Sequence, residues 1–134
     1  MDPVEATFTP SLTAPRDARE FLRSALATQS LDGLGEVSEL LATELVANVV
    51  RHVGSDATVR VSPTRDGVRV EVDDASTDVP VLQLPDRSSP SGRGILLLDS
   101  FATRWGADVR LTGKTVWFEV HATTATREVH GRDR

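Results

Sequence analysis

Apolar residues switch between helical and alternating spacing three times along the chain. Near the start, Phe8 stands among threonines and prolines, which fits either a short edge strand, where a missing proline donor is tolerated, or a loose arm. Ala14-Pro15-Arg16-Asp17 opens a helix, with proline suited to its first turn, and Ala18, Phe21, Leu22, Ala25 and Leu26 recur at helical spacing to about Ser30. Asp32-Gly33-Leu34-Gly35 has the composition of a turn, and a second helix follows from about Glu36 to His52, with Gly54 as its stop. From Ala57 the period becomes two. Val59 and Val61 alternate with Arg60 and Ser62, then Val68, Val70 and Val72 alternate with Arg69 and Glu71. This predicts two strands joined at Thr64-Arg65-Asp66-Gly67, with the glycine supplying a positive φ, and Asp73 and Asp74 ending the second strand.

Residues 75 to 93 carry Pro80, Pro85, Pro90 and Gly92 without apolar periodicity, and loops of that length commonly form lids or binding loops. A third helix is expected from Gly94-Ile95 through Leu96, Leu97, Leu98 and Phe101 to about Thr103. Trp105 to Leu111 and Thr115 to Val120 then read as a second hairpin turned at Thr112-Gly113-Lys114, and the polar residues from His121 onward, 121–134, as a frayed tail. The sequence shows no internal repeat, heptad series or domain boundary. The expected class is α+β: one domain over 1–134, a two-layer sandwich with three helices on one face of a mixed, mainly antiparallel sheet.

Composition narrows the function classes. At 134 residues the chain suits one core that buries about two-thirds of the unfolded surface. No apolar run approaches membrane-spanning length and no secretory leader follows Met1, so a cytoplasmic protein without a membrane partner is expected. The absence of cysteine excludes disulfides and thiolate chemistry. A net charge of -5 and a pI near 5.1 argue against direct nucleic-acid binding, which normally needs a basic face.

The candidate chemistry starts in the second helix. Val37, Leu40, Leu41, Glu44, Asn48 and Arg51 share one arc, the arc expected to face the core, so Glu44 and Asn48 stand where leucine would be expected. A buried carboxylate needs partners. Glu44 is therefore a salt-bridge member with Arg51, a solvated residue if Val46, Val50 and Val53 form the true core face, or part of a functional site.

Three further signals follow in order: Asp74 at a strand end, Gly92 and Gly94 opening a helix after a long loop, and Gly113-Lys114-Thr115 leading the last strand. Together with Glu44-Leu45-Val46-Ala47-Asn48-Val49-Val50-Arg51-His52, Ser91-Gly92-Arg93-Gly94-Ile95-Leu96-Leu97-Leu98 and Gly113-Lys114-Thr115-Val116-Trp117-Phe118-Glu119, they resemble the Bergerat-type ATP-binding fold. That superfamily joins type II topoisomerases, a heat-shock chaperone, sensor histidine kinases and mismatch-repair ATPases. The closer resemblance is to actinobacterial free-standing serine kinases that act as anti-sigma factors, and it spans about residues 14 to 120.

The resemblance implies ATP and Mg2+ as cofactors and a role for each matched residue. Asn48 corresponds to the Mg2+ ligand, a hard amide oxygen. Glu44 corresponds to the carboxylate that orients or deprotonates the attacking hydroxyl. Asp74 corresponds to the acceptor for the adenine amino group, chosen over Asp73 because Val70, Val72 and Asp74 share the buried face; its plainer reading is a turn cap over Ala75-Ser76-Thr77. Thr115 corresponds to the hydroxyl that supports that aspartate. Gly92 and Gly94 correspond to glycines that approach phosphate at a helix start, with Arg93 and Arg87 as candidate phosphate partners.

Two departures stand out. Asp74 is followed by Ala75, Ser76, Thr77 and Asp78 where the family has glycines, and no arginine immediately precedes Ser91-Gly92. The implied function is an anti-sigma factor that sequesters a sigma factor and phosphorylates serine or threonine on an antagonist protein, with a homodimer left open. The alternatives are a non-catalytic interaction module and a histidine-kinase catalytic domain working in trans.

Overall fold

The computed structural model describes residues 2–28, 32–77 and 91–122, with side chains except at residue 32 and residues 91–95. Its elements in order are β1 (Val4–Phe8), α1 (Ala14–Thr28), α2 (Gly35–Asn48), β2 (Ala57–Pro63), β3 (Gly67–Asp74), α3 (Ser91–Phe101), β4 (Arg104–Arg110) and β5 (Gly113–His121). A 3₁₀ turn, Asp32–Leu34, leads into α2. The five strands lie in the order β1-β2-β3-β5-β4, and each of the four pairings is antiparallel. The mainly antiparallel sheet with three helices on one face is therefore present, and β1 is an edge strand rather than a loose arm.

Alternation sorts the sheet into two faces. Val59, Val61, Val68, Val70, Val72, Val116 and Phe118 point to the helices and are buried with Leu22, Leu26, Leu41, Val46 and Leu98 in one core. Phe8 at the edge meets Phe21 of α1 edge-on, with ring centroids 6.0 Å apart. Burying side chains of this kind gives roughly 1.5–3 kcal/mol each, the main favourable term in the fold.

The outer face is polar and tied together by ions. Arg60 binds Glu5 at 3.0 Å, Glu71 at 2.9 Å and Asp73 at 2.9 Å. Hydrogen bonds to Glu71 and then Asp73 hold its guanidinium well above its ordinary pKa. Arg69 bridges Glu71 at 3.2 Å and Glu119 at 3.1 Å while stacking 4.1 Å from the Trp117 ring centroid. Glu119 also accepts from His121 Nε2 at 3.0 Å. Burial alone would raise the Glu119 pKa, but the hydrogen bonds from His121 and Arg69 and the charge of Arg104 outweigh it, so the carboxyl sits below its ordinary value.

Several local expectations change. Helix α2 ends at Asn48, and Val49–Val53 continue as one π-helical turn closed by Gly54 N–H to Val49 O at 2.8 Å, with Gly54 at φ 74°. The first hairpin closes through Thr64 N–H to Gly67 O and Gly67 N–H to Thr64 Oγ1, both 2.9 Å. Gly67 does not have the expected positive φ. It is required because an added Cβ would run into the Val120 carbonyl oxygen of β5. Helix α3 begins at Ser91 rather than Gly94, and the second hairpin turns at Leu111-Thr112, so Gly113 and Lys114 belong to β5. His121 is likewise the last residue of β5, and Ala122 N–H reaches Asp66 O at 2.7 Å. The remainder of the expected tail and the loop positions Pro80, Pro85, Arg87 and Pro90 lie outside the described residues. No helix among the described residues is long and apolar enough to cross a membrane.

Two stability measurements check this packing. Ser38 is fully buried on α2, and its hydroxyl lacks a hydrogen-bond partner among the described residues. An unsatisfied buried hydroxyl costs about 1–3 kcal/mol, so Ser38→Ala should raise the thermal midpoint by a few degrees, and a lowered midpoint would contradict the assignment. Glu119 should contribute stability that is complete above its ordinary pKa of 4.5 and lost as pH falls through its lower folded value. Glu119→Gln should therefore cost about 1–3 kcal/mol at pH 7 in urea unfolding and progressively less toward pH 3. A cost independent of pH would contradict the direction of the shift.

Candidate functional site

The buried stripe of α2 is Ser38, Leu41, Ala42, Leu45 and Val46, and it continues to Val49 in the π turn. At about 100° per residue, Glu44 and Asn48 stand roughly a quarter of a turn or more from its centre. They do not face the core as the arc from Val37 suggested. Both are half-buried at its border, while Arg51 is exposed. The reason is visible in the sequence of the helix: Ala42, Leu45, Val46 and Val49 form a stronger apolar stripe than Val37 and Leu40, and Leu40 is left 43% exposed. Glu44 and Asn48 remain one turn apart on the same side of α2, directly before the π turn. Single π turns of this kind are frequent at functional sites.

Asn48 is a reasonable donor for a hard cation. Among the described residues no hydrogen bond engages its carboxamide, which leaves the amide oxygen available. No group of three or more His, Asp or Glu side chains is placed to hold a metal ion among the described residues. A Mg2+ held by Asn48 would then draw its other ligands from phosphate oxygens and water, the usual arrangement for this ion.

The end of β3 separates its two aspartates. Asp73 faces outward, bound by Arg60, and accepts from Thr115 Oγ1 at 2.6 Å. Arg110 Nη1 in turn donates to Thr115 Oγ1 at 2.8 Å. Asp74 faces the helices on the same side as Val70 and Val72, and its side chain is 4% exposed. Thr115 therefore does not support Asp74 as expected. It pairs with Asp73 across the register, and alternation places both on the outer face.

Asp74 has a partner that the motif reading missed. Lys114 stands directly opposite it on β5, and its Nζ donates to Oδ1 at 3.1 Å and Oδ2 at 2.8 Å. The lysine side chain is 11% exposed. Asp74 Oδ1 also accepts from Ser76 N–H at 2.7 Å, so the turn-capping role is present together with the ion pair. The signal for Lys114 lay in the strand period: stepping back by two from Val120, Phe118 and Val116 puts residue 114 on the inward face. It was hidden because Gly-Lys-Thr has the composition of a turn.

Gly92, Arg93 and Gly94 fall in the first turn of α3, and their side chains lie outside the described set. The structure thus brings Glu44 and Asn48 together on α2 and Asp74 with Lys114 across β3 and β5, and it sends Thr115 to the opposite face.

No family model and no curated protein matches the chain. Among solved structures, the crystal structure of the RsbU and RsbW domains of Rv1364c from Mycobacterium tuberculosis matches with a TM-score of 0.66 and 16% identity. The match covers 92% of this chain and 35% of that one, so this chain corresponds to only part of that protein's length. The likeness shows a shared fold, a two-layer α+β sandwich of the Bergerat type with a five-stranded sheet.

Proposed function

We propose that the chain is a Mg-ATP-binding anti-sigma factor that sequesters a sigma factor and phosphorylates a serine or threonine of an antagonist protein. The observation that carries this reading is the inward carboxylate of Asp74 at the end of β3, buried while its neighbour Asp73 is engaged on the other face. A carboxylate oxygen held there can accept from an exocyclic amino group. The shared fold with a structure of RsbU and RsbW domains, and the sequence resemblance to anti-sigma serine kinases, support a regulatory class.

In this reading Asp74 accepts from the adenine amino group, Asn48 holds Mg2+ through its amide oxygen, and the backbone around Gly92 and Gly94 approaches phosphate at the start of α3. Arg93, in the first turn of α3, is the candidate cation for phosphate charge. Mg2+ held by Asn48 would supply charge neutralisation at the phosphate oxygens, which together with positioning is most of what phosphoryl transfer requires. Glu44, one helical turn before Asn48, takes the proton of the attacking hydroxyl as its oxygen bonds to phosphorus and the bond to the ADP oxygen breaks. Thr115 has no part in base recognition here, since it is committed to Asp73.

A second reading, a docking module without catalysis, is favoured by one observation: Lys114 already spans both oxygens of Asp74. Calorimetry separates the two. Wild type should bind Mg-ADP and Mg-ATP, and Asn48→Ala should weaken Mg2+-dependent binding by about tenfold or more, the loss of one charge-assisted contact. Glu44→Ala should retain nucleotide and lose transfer of label from ATP to the antagonist. Labelling that survives Glu44→Ala would remove its assigned role, and absence of nucleotide binding by wild type would leave the docking module.

A further inference from the structure

The Asp74–Lys114 pair has hydrogen-bonding capacity left over, and the remainder has a definite shape. An ionised carboxylate offers roughly four acceptor positions, and an ammonium three donors. Asp74 uses three: Oδ1 accepts from Ser76 N–H and Lys114, and Oδ2 accepts from Lys114. Lys114 uses at most two of its three donors on those oxygens. One acceptor position on Oδ2 and at least one N–H on Nζ therefore remain, on atoms 2.8 Å apart at the helix-facing side of the sheet. Both side chains are about nine-tenths buried, so leaving these positions unused is costly.

We propose that Lys114 is a second base-reading residue, donating to the ring nitrogen beside the adenine 6-amino group while Asp74 Oδ2 accepts from that amino group. Adenine presents an amino donor flanked by ring-nitrogen acceptors, the complement of one acceptor beside one donor. The ion pair need not open for the base to enter, because each contact uses a free position. This gives the pair a purpose beyond closing a turn: Lys114 neutralises the buried carboxylate when the site is empty and reads the base when it is filled. The inference rests on the nucleotide-binding reading of the site.

The test substitutes the ligand before the protein. Mg-ADP, 1-deaza-ADP and 7-deaza-ADP, each lacking one of the two ring nitrogens that flank the amino group, are titrated calorimetrically into wild type and Lys114→Met. One deaza analogue should bind wild type about tenfold more weakly than ADP, the loss of a hydrogen bond from a charged donor, and Lys114→Met should bind ADP and that analogue equally. Two analogues that bind wild type as well as ADP does would overturn the proposal. So would a deficit that persists in Lys114→Met, or tighter ADP binding by that variant, which would show that the lysine competes with the base. Should Lys114→Met fail to fold, Lys114→Gln, which retains an N–H donor, should show a smaller deficit than wild type; an undiminished deficit would overturn the proposal. If ADP binds in an Asn48-dependent manner and both analogues match it, only the role of Lys114 falls. If wild type binds no adenine nucleotide, the nucleotide-binding reading falls with it.

Discussion

The pairing of β3 with β5 is the constraint on which both faces of the molecule depend. These strands run antiparallel from Gly67 opposite His121 to Asp74 opposite Lys114. At one end the missing side chain of Gly67 admits the Val120 carbonyl, and at the other Gly113 lies against the backbone carbonyl of Asp74. With the strands this close, the register is fixed, and a period of two assigns every side chain to one layer or the other. Val70, Val72, Val116 and Phe118 become core. Arg69, Glu71 and Glu119 become the outer ion network. The same rule divides two adjacent carboxylates, giving Asp73 to the outer network and Asp74 to the helix side.

That division gives the candidate site its character. The outer face satisfies its charges among themselves, with Arg60 and Arg69 each bridging more than one carboxylate across neighbouring strands. Surface pairs taken singly contribute little, but a connected set that includes the mostly buried Glu119 specifies register as well as stability. On the inner face, Asp74 has one cationic partner among the described residues, Lys114, and Asn48 and Glu44 sit at the edge of the α2 stripe instead of inside it. Polar groups held at a core boundary keep their chemistry without the full penalty of burial.

Much of this was legible in the sequence because it follows from short periods. The valines of β2 and β3 and the inward choice of Asp74 over Asp73 come from counting by two, and the stop at Gly54 comes from its residue type, while the sequence left β1 open between an edge strand and a loose arm. What escaped depends on neighbours distant in sequence. The need for glycine at position 67 comes from the β5 backbone, more than fifty residues away. The placement of Thr115 beside Asp73 follows from the strand register, which no local motif states. Lys114 looked like a turn residue because glycine precedes it, although the valines after it already implied its face. The buried stripe of α2 was misplaced because two adjacent stripes both carry aliphatic residues, and only packing against the sheet decides between them. The π turn after Asn48 has no signature in Val49–Val53 that counting could find.

The central claim is that the two faces of one strand end do different work, Asp73 holding the sheet and Asp74 receiving the nucleotide base. Calorimetric titration of Mg-ADP into Asp73→Asn and Asp74→Asn, with folding of each checked by circular dichroism, tests it directly. The account predicts that Asp73→Asn binds as wild type does and that folded Asp74→Asn loses binding. Equal binding by wild type and Asp74→Asn, or a loss confined to Asp73→Asn, would contradict it.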